Sequence, residues 1–248
     1  MRSLGRWLLW MVLAGVALQV FFALRIAAMV VIDPTSTAFM RSEAWRVGTE
    51  SMTTDKTWRW SHQWVAGDQI SPNLKRAVIA SEDAGFLEHG GVDWEAIETA
   101  WQKNEKRQQQ AEKRAAAQPN RPVREPKVVG GSTITQQLAK NLLLSGERQF
   151  LRKGQELVLA VALEALLSKE RILEIYLNSV EWGEGVFGAE AAAQRYFKKP
   201  ASRLSPHEAA RLAVMLPSPK FFETRPGSAY LARRTGTIVA RMGDVSLP

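Results

Sequence analysis

Two adjacent carboxylates at the end of an apolar helix are the first side chains in this sequence that suggest chemistry. The stretch Ala77–Asp93 reads AVIASEDAGFLEHGGVD, and helical spacing places Glu82 on the face of Leu74 and Val78. An ionised carboxylate that faces a core is costly unless it has a task or a partner. Glu82, beside Asp83, is therefore expected to have either a task or a partner, and burial and the neighbouring like charge are both expected to raise the pKa of its carboxyl group. The alternative is a glutamate that merely turns outward at a helix end.

A second group of charged side chains lies further along the chain. Lys140, Arg148 and Lys153 concentrate positive charge in a short region, and Glu156 follows Lys153 by three residues, which is one helical turn. The stretch Gly130–Leu144, GGSTITQQLAKNLLL, leads from flexible glycines into a capped helix start, where free N–H groups suit an anion. Either Glu156 forms a structural ion pair at a helix entrance, or it belongs to an anion-binding site.

The histidines and the missing cysteines narrow the possible chemistry. The sequence contains no cysteine, which excludes disulfides and thiolate sites. His62, His89 and His207 are far apart and outside any HExxH spacing, which disfavours a histidine-based metal site. His89 is either an acid–base group or a side chain that braces its loop, and the second use is the more common one.

The elements that must position these residues are predicted to be helices. Ser71-Pro72 predicts a helix start, Ser205–Glu208 predicts a capping box, and a last helix is expected from about Tyr230 to Met242. The stretch 151–167 is apolar on nearly every side after its glutamate, which predicts a central buried helix. No strand-like alternation is prominent, so the expected fold class is mainly α.

The N-terminus predicts a membrane anchor. Trp7–Leu24 reads WLLWMVLAGVALQVFFAL, close to the roughly 20 apolar residues that span a bilayer core. A cleaved signal peptide is the alternative, although its apolar region is only about 7–15 residues long. Arg2 and Arg6 favour a cytoplasmic N-terminus, with the chain after Asp33 on the opposite side.

The net charge of +8 predicts an acidic partner, which could be nucleic acid, anionic lipid or a phosphorylated substrate. An anchor disfavours nucleic acid. The segment Lys103–Lys127 carries eight basic and three acidic residues without apolar periodicity. It is therefore expected to be a mobile insertion that rests on anionic headgroups. Four tryptophans suit either headgroups or the core, and both uses remain open; they are Trp45, Trp58, Trp60 and Trp64.

Four ordered stretches resemble the family 51 glycosyltransferases. They are AVIASEDAGFLEHGGVD, GGSTITQQLAKNLLL, LRKGQELVLAVALE and KERILEIYLNSVEWGEGVFGAEAAAQRYF, and together they cover most of the chain between Ser71 and Lys199. The resemblance implies a lysozyme-like α-helical domain with a smaller membrane-facing lobe, preceded by one transmembrane helix. It also implies the bacterial inner membrane as the location, with the catalytic domain on the extracytoplasmic side.

The resemblance further implies an enzyme that polymerises lipid II into glycan strands with inversion at the anomeric carbon. Its partners would be lipid II, the growing glycan chain and membrane lipids; division or cell-wall synthase proteins are left open, and no nucleic acid is expected. No cofactor is required, although a divalent Mg or Mn ion at the pyrophosphate is left open. The resemblance implies that Glu82 is the catalytic base and Glu156 a second catalytic carboxylate. The residues implied to bind the pyrophosphate or the sugars are Ser132, Gln137, Lys140, Arg148 and Lys153. The residues implied to support the site are Asp83, Phe86, His89 and Asp93.

The expected organisation is an anchor over residues 1–35, a juxtamembrane segment over 36–70 and a glycosyltransferase domain over 71–248. The insertion at about 103–127 departs from the family pattern. The sequence has no S-x-x-K tetrad, so transpeptidase activity is not expected. Two rival functions remain: a lysozyme-like lytic glycosidase, and a non-catalytic module that binds lipid II.

Overall fold

A computed structural model describes residues 2–55, 57–118, 128, 130–144 and 150–248. These residues form a mainly α-helical chain, which confirms the predicted fold class. The α-helices are α1 Arg2–Ala28, α2 Ala38–Thr53, α3 Pro72–Glu82, α4 Trp94–Ala117, α5 Ile134–Leu143, α6 Phe150–Leu166, α7 Lys169–Ser179, α8 Ala189–Phe197, α9 Pro206–Met215, α10 Pro219–Glu223 and α11 Ala229–Arg241. The strands are β1 Ser61–His62, β2 Glu181–Gly183 and β3 Val186–Phe187.

The predicted helix starts are confirmed. The Ser71 hydroxyl accepts a hydrogen bond from the backbone N–H of Asn73, with proline at the first position of α3. Thr133 and Gln136 form a capping box at the start of α5, and Ser205 forms one with Glu208 at the start of α9. Such caps satisfy the backbone donors that a helix leaves unpaired at its first turn.

The core lies where α3, α9 and α11 pack together and where α5 packs on α6 and α7. Leu74 and Val78 of α3 are fully buried, as are Leu138 and Leu142 of α5. The buried faces of α3 and α5 belong to one core, and Asp83, directly after α3, accepts a hydrogen bond from the backbone N–H of Ile134, the first residue of α5. The C-terminus of α3 therefore lies beside the first turn of α5. Glu82 is the last residue of α3.

Helix α6 differs from the prediction of a helix buried on all sides. Its Leu159 and Leu163 are buried, but Val158 is 53% exposed and Val161 is 52% exposed. The prediction that α6 is buried on all sides was wrong, because the sequence shows only that these sides of the helix are apolar and not that other parts of the protein cover them. Helix α6 packs beside α1, whose own apolar side chains are largely exposed.

The expectation of a mobile segment from Lys103 was also wrong as far as Ala117. Helix α4 continues through that residue as a long exposed helix. Its lysines, glutamates, glutamines and alanines are good helix formers, and Gln108 donates to Glu112 four residues on at 3.0 Å. Helix formation on the surface therefore needs no apolar stripe here. The rest of the predicted insertion, from 119 to 127, lies outside the described residues.

The strands form a small sheet of order β1-β3-β2 that the sequence did not predict. Strands β1 and β3 are parallel, and β2 and β3 are antiparallel. Trp60 packs on Phe187 of β3 at 4.8 Å between ring centroids, and Trp64 packs against the core. Trp45 is 76% exposed and Trp58 is 48% exposed. Packing within the protein is therefore confirmed for Trp60 and Trp64, and contact with headgroups stays a prediction for Trp45 and Trp58.

Helix α1 is long and apolar enough, over Ser3–Ala28, to cross a membrane. Gln19, the polar residue inside its apolar run, forms a reciprocal pair of hydrogen bonds with Gln155 of α6, each 3.0 Å long. The candidate anchor is thus joined to the helical domain at a defined point.

Candidate active site

Glu82 ends α3 as a partly buried carboxylate. Its Oε2 accepts a hydrogen bond of 3.1 Å from Gln137 Nε2, and its Oε1 accepts one of 3.4 Å from the Ser81 hydroxyl. Burial is the main influence on the pKa of Glu82 and raises it above the usual value, while the two hydrogen bonds act in the opposite direction. Asp83 adds only a weaker upward effect. The predicted direction is therefore confirmed, with desolvation as the larger cause.

The amide of Gln137 has a defined orientation. Tyr176, which is fully buried, donates its hydroxyl hydrogen to Gln137 Oε1 at 3.0 Å. That contact leaves Nε2 of the amide facing Glu82. A buried tyrosine thus selects the orientation in which Gln137 acts as a donor to the candidate base.

Asp83 is occupied by structural contacts. Its Oδ1 lies 2.9 Å from His89 Nε2, and its Oδ2 accepts a hydrogen bond of 2.9 Å from the backbone N–H of Ile134 at the start of α5. The N–H of Gly91 donates to His89 Nδ1 at 3.1 Å. This pattern places the imidazole hydrogen on Nε2. His89 therefore braces its loop, as predicted, and Asp83 ties α3 to the first turn of α5.

Two other residues of the first motif also have structural contacts. Phe86 is fully buried, with the ammonium of Lys169 4.5 Å from its ring centroid. Asp93 caps α4 by accepting a hydrogen bond of 2.7 Å from the backbone N–H of Ala96. Asp93 also lines the recess that contains Glu82. Of these two, only Asp93 reaches the candidate cleft.

The cationic side of the cleft is formed by α5 and α6. Lys153 Nζ lies 2.5 Å from Glu156 Oε1 and donates to the Ser132 hydroxyl at 3.4 Å. Glu156 is only 4% exposed. Burial is the main cause that lowers the pKa of Lys140, and Glu156 opposes that shift. Glu156 thus compensates a cluster of cations, so the predicted ion pair is present.

Two recesses flank the Glu82–Gln137 contact. One, of about 380 Å³, is lined by Glu82, Asp93 and Ser132 among others. The other, of about 430 Å³, is lined by Gln137 and by polar or charged residues of α5, α6 and β2; they are Lys140, Asn141, Arg152 and Glu181. Gln137 therefore stands between the candidate base and the cationic recess. Arg148 lies outside the described residues, so its predicted place in this cluster stays a prediction.

Sequence reasoning missed the basic residues of α11. Arg234 acts on Glu82 electrostatically and lowers the pKa of that carboxyl, and Arg241 lines the Glu82 recess. The two arginines are seven residues apart, or about two helical turns, which was a usable signal that both lie on one face. Their approach to α3 depends on the packing of α11 on α3, which local spacing does not reveal.

The carboxylates of the site do not form a metal centre held by the protein. Within the described ranges, no group of three or more histidine, aspartate or glutamate side chains could hold a metal ion. Glu156 offers a single carboxylate, and that carboxylate is already paired with Lys153. The described residues therefore do not form a divalent-ion site from protein ligands alone, and an ion held jointly by one carboxylate and a substrate pyrophosphate stays a prediction.

The helical domain thus places a partly buried carboxylate, Glu82, beside a cationic recess. The chain belongs to the Transglycosylase family, whose model matches residues 50–243. The fold of this family is lysozyme-like and mainly α, and its members are glycosyltransferases.

Full-length relatives carry a common name. The chain is 53% identical over 251 residues to a "Biosynthetic peptidoglycan transglycosylase" of Burkholderia pseudomallei (strain K96243). The matched region covers 100% of this chain and 90% of that relative. It is 52% identical over 251 residues to a protein of that name from Burkholderia thailandensis, with the same coverage. It is 50% identical over 255 residues to one from Herminiimonas arsenicoxydans, with 100% of both chains covered.

Proposed function

We propose that this protein is a peptidoglycan glycosyltransferase that polymerises lipid II into linear glycan strands. The observation that carries the proposal is the contact of Glu82 with Gln137, since Gln137 also lines the recess of Lys140. Gln137 therefore contacts the candidate base on one side and borders the cationic recess on the other. Glycosyl transfer from a pyrophosphate donor needs both of these functions.

In the proposed reaction, Glu82 accepts the proton of the 4-hydroxyl of the acceptor N-acetylglucosamine. The acceptor oxygen forms a bond to the anomeric carbon of the N-acetylmuramic acid at the end of the donor chain. The bond from that carbon to the pyrophosphate oxygen breaks, and undecaprenyl pyrophosphate leaves with the electron pair. The new linkage is β where the old one was α, because attack and departure occur on opposite faces of the carbon.

The cations stabilise the charge that develops on the leaving group. Lys140 and Lys153 lie on consecutive helices around Glu156, whose carboxylate is 2.5 Å from Lys153. Glu156 holds the Lys153 ammonium in place and limits the mutual repulsion of the cations before substrate arrives. Fixed charges that do not reorganise during the reaction stabilise a transition state most effectively.

Helix α1 is proposed to anchor the enzyme in the bacterial inner membrane, with the N-terminus in the cytoplasm and the helical domain on the extracytoplasmic side. Its length and apolar composition support a membrane span, and Arg6 ahead of the apolar run supports the orientation. A membrane anchor also places the enzyme where a lipid-linked substrate is found.

The test is polymerisation of lipid II by the purified full-length protein, compared with Glu82→Gln. Wild-type protein should produce glycan polymer, and the variant should produce none while keeping its thermal unfolding temperature. Release of short glycans from intact sacculi without polymer would identify a lytic glycosidase instead. Lipid II binding without turnover by the wild type would identify a non-catalytic module.

A further inference from the structure

A recess of about 390 Å³ lies where α1 ends and α2 begins. Two arginines line this α1–α2 recess: Arg25 from the last turn of α1 and Arg41 from the start of α2. Within the described part of the chain, none of the residues that line it lines either recess beside Gln137. The α1–α2 recess is therefore separate from the candidate active site, and the proposed reaction uses neither arginine.

The two arginines have no acidic partner of their own. Among the residues that the structure describes, neither Arg25 nor Arg41 forms an ion pair. Asp33 also lines the recess, but its carboxylate is paired with Arg171 of α7 at 2.7 Å. Arg25 and Arg41 are close enough for their charges to repel each other. Two like charges that share one recess favour an anion between them.

Hydrogen bonds hold the walls of the α1–α2 recess in place. Arg41 Nη1 donates to the hydroxyl of Ser36 at 3.2 Å and to the backbone carbonyl of Ser36 at 3.3 Å. Arg171 Nε donates to the backbone carbonyl of Met29, directly after α1, at 2.8 Å. These contacts fix Arg41 and the turn between the two helices, so a ligand that binds here does not have to order them.

The position of the recess along α1 identifies the kind of anion. As a helix, the apolar run Trp7–Leu24 is about 27 Å long, close to the roughly 30 Å thickness of a bilayer core. Arg25 comes directly after this run, so in the proposed orientation it lies at the level of the extracytoplasmic lipid phosphates. A guanidinium fork matches two phosphate oxygens. Met29 and Ile32 add apolar surface to the recess, which suits a phosphate that carries hydrocarbon chains.

We propose that Arg25 and Arg41 together bind the phosphate of an anionic phospholipid from the extracytoplasmic leaflet. The proposal rests on the proposed membrane span of α1 and does not require the polymerisation of lipid II. Arg171 belongs to α7 and holds the turn between α1 and α2. A headgroup bound in the α1–α2 recess therefore fixes the orientation of the helical domain relative to the membrane surface.

The experiment measures the dissociation constant of dioctanoyl phosphatidylglycerol for the full-length protein in uncharged detergent, by isothermal titration calorimetry. Arg25→Gln and Arg41→Gln should each raise this constant about ten-fold, because each removes a charged hydrogen-bond donor from the phosphate. Arg25→Lys keeps the charge but loses the planar fork, so it should raise the constant about three-fold. The matched control is Arg203→Gln, which removes the same charge from an exposed arginine outside the recess; its dissociation constant should stay at the wild-type value.

Three results with the variants would overturn the proposal. The first is an unchanged dissociation constant in either Arg25→Gln or Arg41→Gln. The second is a rise of equal size in Arg203→Gln, which would show a response to net charge alone. The third is binding by Arg25→Lys as tight as that of the wild type, because any cation at the membrane surface would then be enough and no guanidinium contact would be needed.

Competition experiments identify the source of the phosphate. Neither inorganic phosphate nor lipid II should displace phosphatidylglycerol when both are present at the same concentration. Displacement by inorganic phosphate would assign the recess to a free anion, and displacement by lipid II would assign it to the substrate; either result overturns the phospholipid. Dioctanoyl phosphatidylcholine should bind about five-fold more weakly, because its choline cation is repelled by the arginines. Equal binding of the two lipids would overturn the preference for an anionic headgroup.

Carbonate extraction of membranes separates this proposal from the proposed membrane span. Protein that carbonate releases from the membrane overturns both, whereas retained protein that does not bind phosphatidylglycerol overturns only the phospholipid site. Thermal unfolding identifies a variant that does not fold. If Arg25→Gln fails to fold, Arg41→Gln, which changes an exposed residue, decides the matter, and an unchanged dissociation constant for it overturns the proposal.

Discussion

Gln137→Met removes the hydrogen bond that the structure places on Glu82 while it keeps a side chain of similar length. Gln137 Nε2 donates to Glu82 Oε2 at 3.1 Å, and this contact lowers the pKa of Glu82 against the upward effect of burial. Loss of the donor should raise that pKa further. Because a general base acts in its ionised form, the acidic limb of the pH–rate profile should move to higher pH.

The size of the effect follows from the type of hydrogen bond. A hydrogen bond to a charged group contributes about 1.5–3 kcal/mol. Below the pKa, a loss of that size reduces the ionised fraction of Glu82 by roughly ten-fold to a hundred-fold. The rate at low pH should fall by a similar factor and should recover as the pH rises. A uniform loss at every pH would instead report a lost substrate contact.

The assay is single-turnover polymerisation of lipid II between pH 5 and pH 9, with Tyr176→Phe as the companion variant. Tyr176→Phe leaves Gln137 able to donate but removes the contact of 3.0 Å that orients its amide. Its acidic limb should move in the same direction by a smaller amount. An acidic limb that stays at the wild-type pH in Gln137→Met would refute the assignment of Gln137 as the donor that controls Glu82.

Other variants test other contacts of the cleft. Lys153→Ala should cost about 2–4 kcal/mol of transition-state stabilisation in single-turnover assays, and a loss of only a few-fold would mean that the pyrophosphate is held elsewhere. Arg234→Met should move the acidic limb to higher pH, because this arginine lowers the pKa of Glu82; an unchanged limb would contradict that influence. Asp83→Ala should lower stability in urea unfolding by about 1–3 kcal/mol, since it leaves the buried N–H of Ile134 without its acceptor; unchanged stability would contradict a structural role.

Local spacing predicted the parts of the site that lie on one helix or at one helix start. Lys153 and Glu156 are a turn apart, so their ion pair followed from helical geometry. The capped start of α5 followed from a hydroxyl residue, Thr133, placed directly before the apolar helix. In both cases the interacting groups are close in the sequence, where helical geometry is enough.

Contacts between distant segments were beyond such reasoning. Tyr176 is 39 residues from Gln137, the residue that its hydroxyl orients. Glu181 of β2 lines the same recess as residues of α5 and α6 that are distant from it in the sequence. The expectation of a mobile segment from Lys103 failed, as far as Ala117, for a different reason. It treated the lack of an apolar face as a lack of structure, whereas α4 is formed largely by residues with high intrinsic helix propensity.

The amide pair of Gln19 and Gln155 has a consequence for the vertical position of the enzyme. Gln155 lies between Lys153 and Glu156 in the sequence. The hydrogen bond from Gln19 of α1 therefore reaches the same turn of α6 that carries the Lys153–Glu156 ion pair. In the proposed orientation, the pyrophosphate of a lipid carrier has a nearly constant height above the bilayer. The two amides fix the distance of Lys153 and Glu156 from the bilayer relative to the anchor. A lipid-linked substrate that diffuses within the membrane therefore meets these residues at the depth of its pyrophosphate.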